Sequence, residues 1–360
     1  MSLFLKKPLG SMVSYLFITI FSISLIFLPA FSIVTFAANK PVVIVIDPGH
    51  GGEGDKHSGA IYNGYREKDL TLQLANALTS ELSKYENVTV YQTRTTDTDL
   101  SLEQRAAFAK SVGADFVFSI HFNASLEHHF YGSEVWTSAF GRFFQRGFDF
   151  GQIVSREWNA LGLYQKGVKT KIGNTGRDYY GIIRHSVSRN IPCVILEHAY
   201  LDHGYDINMI KTGGFVQKLA HADATAMAKY FALKSPALGT DYSGFQYTSI
   251  GMPSGTVRQD TTPPETCNIK VLAYDLSNGN VLVEMTARDS QSPVIYFSYS
   301  YDAGKTFSLL QMWDRTKETQ SFNVKVPSGT VNPTIVCRCY NNFEQGTESA
   351  PFGLSAAFSY

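Results

Sequence analysis

A chain of 360 residues exceeds the roughly 100–200 that one ordinary domain uses, so its length points to two folded units or one large one. With 44% apolar and 17% charged residues it can build a sizeable core and is too apolar to stay disordered. Thirty-one basic residues balance 31 acidic ones, which excludes a general basic field for nucleic acid, and four cysteines are too few to staple so long a chain.

At the N-terminus Lys6 and Lys7 precede an uncharged stretch from Pro8 to Asn39. Within it Tyr15–Leu28 is almost wholly apolar, Pro29 can break a helix, and Thr35-Phe36-Ala37 puts small residues around a cut. A positive start, an apolar middle and a small-residue end predict a secretory signal peptide over residues 1–38. The alternative is an uncleaved anchor, since Tyr15–Phe36 is long enough to span a membrane. Either way the remainder of the chain faces outward.

From residue 41 to 232 apolar runs alternate with helical patterns. Val42-Val43-Ile44-Val45-Ile46, Phe116–Ile120 and Val194–Leu196 read as buried strands. Leu70, Leu74, Ala77, Leu78 and Leu82 keep helical spacing, Ser101-x-x-Gln104 forms a capping box, and Phe215–Phe231 closes the unit as a helix. Continuous apolar strands between helices predict an α/β fold, a mostly parallel sheet with helices on both faces. Over residues 235–264 Gly, Pro, Ser and Thr dominate, as a linker requires. Beyond it, over 265–360, the apolar period changes to two in Val281–Met285, Val294–Phe297 and Thr334–Cys337, predicting a small all-β sandwich, immunoglobulin-like or fibronectin-like in architecture.

Three strands end in chemistry. The first runs into Asp47-Pro48-Gly49-His50-Gly51-Gly52, the second into Ser119-Ile120-His121-Phe122-Asn123-Ala124, the third into Ile195-Leu196-Glu197. Ligands of open α/β sheets collect beyond the carboxyl ends of the strands, so His50, His121 and Glu197 are expected on one rim. Two histidines and a carboxylate suit a catalytic zinc that keeps one position for water, whose proton a further, non-ligating carboxylate takes. Two glutamates compete for third ligand: Glu67, at the head of the Leu70 helix, and Glu53, three residues after His50. His50-Gly-Gly-Glu53 with a distant His121 copies the ligand order of zinc carboxypeptidases, and spacing alone leaves both open.

Asp47–Gly52, Arg66-Glu67-Lys68-Asp69, Thr93-Arg94 with the Leu102–Arg105 helix start, Ser119–Ala124 and Leu196-Glu197 resemble, in order and spacing, the zinc-dependent N-acetylmuramoyl-L-alanine amidases of the LytC type. The resemblance runs from about Pro41 to Phe231. It implies that His50, Glu67 and His121 hold one Zn²⁺ and that Glu197 is the catalytic base. It also implies hydrolysis of the amide between the lactyl group of N-acetylmuramic acid and L-alanine in bacterial peptidoglycan, as an autolysin does. The expected partner is then peptidoglycan, the expected location secreted or cell wall, and the expected state a monomer without nucleic acid. A carboxypeptidase of stem peptides, or a wall-binding protein whose amidase domain no longer turns over, are the competing expectations. After Glu197 the chain departs from the family, which continues with a small residue, Gly-Phe and Ser-Asn; here it reads His198-Ala199-Tyr200-Leu201-Asp202-His203.

His57, His128, His129, His203 and His221 lack a comparable context and read as surface residues. Cys193 reads as a small core hydrophobe, and Cys267 has Cys337 and Cys339 as disulfide partners to choose between. Ser300–Phe307 resembles one Asp-box hairpin of sialidase propellers; a single copy implies a stabilised turn, not glycosidase chemistry. The C-terminal unit is expected to be a spacer or a binding module.

Overall fold

The computed structural model describes residues 40–354, and the signal segment expected at 1–38 lies outside them. Among the described residues no helix is long and apolar enough to cross a membrane. The first layer system comprises β1 (Val42–Pro48), α1 (Glu67–Leu82), β2 (Val88–Gln92), α2 (Leu102–Ser111), β3 (Phe116–Asn123), β4 (Ser133–Thr137), α3 (Gly141–Ala160), β5 (Gln165–Lys169), α4 (Gly181–Ser188), β6 (Cys193–Tyr200), α5 (Gly204–Ile210) and α6 (Phe215–Tyr230). The strands order as β2-β1-β3-β6-β4-β5, and every neighbouring pair is parallel except β4 with β6.

The apolar strand runs are continuous because both faces of the sheet are covered. Ile44, Ile46, Phe118 and Leu196 pack with Leu74 of α1, Phe150 of α3 and Met227 of α6. The intervening Val45, Val117 and Ile195 pack with Ala106 of α2 and Ile182 of α4. Alternate residues of one strand thus feed two separate cores. Burying a side chain such as Leu74 completely contributes about 1.5–3 kcal/mol. The Ser101 capping box forms in both directions, at 3.2 and 2.8 Å, and starts α2.

The second unit is a sandwich of antiparallel sheets. β7 (Thr266–Asp275), β8 (Asn280–Arg288) and β10 (Thr319–Lys325) form one sheet. β9 (Val294–Ser300), β11 (Thr334–Asn341) and β12 (Gly346–Glu348) belong to the other. Asp302 accepts from Ser300 Oγ at 2.6 Å and Thr306 N at 2.9 Å, so the Asp-box segment is a braced turn. All four cysteines are buried free thiols, with Cys267 Sγ 3.6 Å from the Cys337 carbonyl.

The Gly/Pro/Ser/Thr-rich stretch carries little regular structure, yet it is not a free tether. Asp149 of α3 accepts from Ile250 N at 3.0 Å, Thr170 Oγ1 donates to the Val257 carbonyl at 2.7 Å, and Tyr247 stacks on Tyr230 at 5.7 Å. Backbone polar groups of Ile250 and Val257 thus find partners on the α/β layers instead of water. The sandwich also docks directly. Phe130, Tyr131 and Tyr200 share an apolar cluster with Ile295, Tyr296 and Leu310, and Tyr164 O–H donates to the Ile295 carbonyl at 2.5 Å.

Candidate active site

β1, β3 and β6 are consecutive parallel neighbours, so their carboxyl ends share one edge of the sheet. That edge brings His50, just past β1, together with His121 of β3. In the adjoining strand Glu197 stands opposite His121 in register. Glu67 arrives from elsewhere: the small hairpin of residues 61–66 turns the chain so that α1 begins at the same rim. Its Oε2 lies 3.1 Å from His50 Nε2 and its Oε1 2.9 Å from His121 Nδ1. The imidazoles meet edge-to-face with centroids 5.0 Å apart. The ligand atoms of His50, Glu67 and His121 all lie within 4.8 Å of one another. Glu53 is exposed and stands outside this cluster.

Each member is held from behind. Glu67 also accepts from Ala60 N at 2.9 Å and Phe122 N at 3.1 Å. Burial alone would raise its pKa, but hydrogen bonds and charge from His121 and His50 hold it below its ordinary 4.5. Gly59, at φ +69°, has no room for a side chain: a Cβ there would sit 2.2 Å from Glu67 Oε2 and 2.6 Å from the His50 ring. The His50 loop is clamped by two buried arginines. Arg105 donates to the His50 carbonyl at 2.7 Å, the Pro48 carbonyl at 2.6 Å and Asp47 Oδ1 at 2.9 Å. Arg94 donates to the Gly49 carbonyl at 2.8 Å and the Lys68 carbonyl at 2.9 Å. Burial opposes ionisation of Asp47, but Arg105 together with hydrogen bonds from Thr93 and Ser119 outweighs it and holds the carboxyl below 3.8.

Glu197, beside the His50–Glu67–His121 cluster, lacks a full set of partners. Its Oε2 is buried and accepts no hydrogen bond. Burial first, then the charges of Glu67 and Glu134, push its pKa well above 4.5. Glu134, its cross-strand neighbour in β4, is buried and paired with Lys169 at 2.6 Å and Lys166 at 3.3 Å.

The family-atypical flank after Glu197 has a physical role. Successive strand residues face opposite ways, so His198 points away from Glu197 into the core. It is fully buried, with Nδ1 3.0 Å from the His121 carbonyl and Nε2 3.0 Å from Asp223, which also accepts from Trp158 Nε1 at 2.7 Å. The same strand that presents Glu197 is therefore tied to the strand that presents His121. Tyr200 O–H donates to Glu344 of the sandwich at 2.8 Å, and Asp202 accepts from Ser125 N at 2.9 Å. His203, expected on the surface, is instead buried: it stacks on Tyr131 at 4.7 Å and accepts from Tyr205 N at the start of α5.

The sequence alone gave no role to Asp47, Arg94, Arg105, Glu134, Lys169 or Asp223, although Asp47, Arg94 and Arg105 lie in the segments that carried the resemblance. A charge buried by a partner distant in sequence leaves no local signal. Two imidazole nitrogens and one carboxylate oxygen are a donor set suited to Zn²⁺, and the carboxylate of Glu67 is oriented by two backbone donors of its own. The residues fit the metal.

A family model described as N-acetylmuramoyl-L-alanine amidase matches residues 44–229. The sporulation-specific N-acetylmuramoyl-L-alanine amidase of Bacillus subtilis (strain 168) is 34% identical over 218 residues, covering 58% of this chain and 74% of that protein. The N-acetylmuramoyl-L-alanine amidase CwlM of Bacillus licheniformis is 33% identical over 205 residues, covering 54% and 71%. Among solved structures, the catalytic domain of CwlV, an N-acetylmuramoyl-L-alanine amidase from Bacillus (Paenibacillus) polymyxa var. colistinus, is 28% identical, covers 54% of this chain and 99% of that one, and gives a TM-score of 0.45.

Proposed function

Because the chain belongs to the N-acetylmuramoyl-L-alanine amidase family, we propose that it is a secreted, zinc-dependent enzyme that cleaves the amide between N-acetylmuramic acid and L-alanine in peptidoglycan. His50 Nε2, His121 Nδ1 and an oxygen of Glu67 would hold the metal. The observation that carries this reading is their convergence beside Glu197, whose Oε2 has no partner. When bound, the zinc supplies a Lewis acid that acidifies water and polarises the scissile carbonyl.

The chain's own residues do the rest. Glu197 Oε2 takes the proton of the attacking water and delivers it to the nitrogen of the leaving L-alanine. A carboxylate whose pKa is raised by burial suits both halves of that transfer. Glu67 carries the only carboxylate of the metal-binding trio and is kept ionised by its amide and imidazole donors. Arg94 and Arg105 fix the loop that presents His50, and the His198–Asp223 bridge fixes the strand that presents His121. The exposed position of Glu53 argues against the carboxypeptidase ligand order.

The test is digestion of purified sacculi by the full chain. New L-alanine amino termini, abolished by chelation and restored by zinc, are the expected products. Release of terminal D-amino acids alone would favour the carboxypeptidase instead.

A further inference from the structure

A cleft of about 810 Å³ extends from Glu197 to the C-terminal sandwich, and both units supply its walls. Eight lining residues come from β11, β12 and the turn between them; the other thirteen lie between Asn123 and Tyr200. Phe343 of that turn faces Trp136 of β4, with centroids 6.4 Å apart, and Trp136 lies 5.1 Å from Tyr180. Tyr340 lines the same wall as Phe343. All four rings are partly exposed.

Polar contacts place the sandwich wall. Glu344 accepts from Tyr200 O–H at 2.8 Å and pairs with the buried Lys166, whose ammonium lies 3.3 Å from Glu134. Asn341 Oδ1 accepts from Phe343 N and Gln345 N at 3.0 Å each, which sets the turn. Lys169 lies over both Trp136 and Phe343, at 5.3 and 5.5 Å, joining the rings of the two units.

We propose that the C-terminal sandwich is one wall of the substrate cleft, and that Tyr340 and Phe343, with Trp136 and Tyr180, bind a sugar ring of the substrate's glycan arm. This rests on the amidase reading, in which the substrate has a glycan arm and a peptide arm. Ring chemistry separates the two. The lining carries five carboxylates and three cationic side chains, but Glu134, Glu344 and Glu348 are paired with Lys169, Lys166 and Arg338, so little net charge is left to select a charged peptide. A neutral sugar offers C–H faces to the four rings and hydroxyl donors to the carboxylates.

The test measures equilibrium binding by calorimetry in the full chain carrying Glu197→Gln, so that nothing is cleaved. Two probes are compared: an N-acetylglucosaminyl-N-acetylmuramoyl dipeptide and the N-lactyl dipeptide that lacks the sugars. Phe343→Leu keeps apolar volume and removes the flat ring, and Phe343→Trp restores one. The preference for the sugar-bearing probe is expected to fall about tenfold in Phe343→Leu and to be kept in Phe343→Trp. Tyr340→Leu, expected to lower the same preference, serves should Phe343→Leu fail to fold. An unchanged preference in the leucine variants overturns the proposal. Failure of the amidase reading shows separately, as a parent chain that frees no L-alanine amine from sacculi.

Discussion

Replacing Arg105 by Met tests how the fold holds its first histidine. The guanidinium satisfies Asp47 and the carbonyls of Pro48, His50 and Leu100. Arg105 and Asp47 are 3% and 1% exposed. Methionine fills much of the same volume but leaves the Asp47 charge buried without its cation, a loss of about 3–5 kcal/mol. With a urea slope of roughly 3 kcal/mol per molar, the unfolding midpoint should fall by about 1–1.7 M when followed by tryptophan fluorescence. Asp47→Asn in the same chain should recover part of that, because the stranded charge is gone. The gap between parent and Arg105→Met also depends on pH. The folded pKa of Asp47 is depressed below 3.8, so its ion pair stabilises fully above 3.8 and loses its contribution as pH falls through the folded value. The gap should therefore narrow below pH 3.8. Freeing the His50 carbonyl should weaken zinc binding about 10–100-fold. A midpoint within about 0.3 M of the parent, with unchanged metal affinity, would refute the reasoning.

Gly59→Ala should lose zinc by equilibrium dialysis while keeping its far-UV circular dichroism, because the new Cβ collides with Glu67 Oε2 and the His50 ring. Glu53→Ala should keep both zinc and amidase rate, since Glu53 is exposed and apart from the cluster; loss of metal would revive the carboxypeptidase order. His198→Phe leaves Trp158 as the remaining side-chain donor to Asp223 and removes the ring's contact with the His121 carbonyl, so thermal unfolding should show about 1–3 kcal/mol of lost stability. An unshifted melting curve would mean that the bridge to His121 is idle.

The strands that carry the site were legible because they are buried on both faces: β1, β3 and β6 read as unbroken apolar runs, and each ends in a polar residue on the rim. α2 was legible from its capping box. β4 and β5 were not, since Glu134, Lys166 and Lys169 look like surface charges until they are paired with one another and with Glu344, which lies 178 residues beyond Lys166. α3 hides for a different reason: Gly147 and Gly151 lower its helix propensity, and packing against β4 and β5 overrides the deficit. At the site, His50, His121 and Glu197 follow from strand ends alone. Glu67 does not, because an acid at a helix start is ordinary on electrostatic grounds; only the resemblance singled it out. The C-terminal unit was legible as a sandwich from its period of two, but not its docking, which depends on aromatic residues scattered from Phe130 to Tyr340.

The division of labour among the rim carboxylates is tested most directly by metal content, measured side by side in Glu67→Ala and Glu197→Gln of the full chain. Glu67→Ala should emerge without zinc. Glu197→Gln keeps the shape of the side chain but cannot accept a proton, so it should retain about one zinc per chain while its rate falls about 10²–10⁴-fold. A metal-free Glu197→Gln beside a zinc-loaded Glu67→Ala would contradict the account and exchange the roles of the two glutamates.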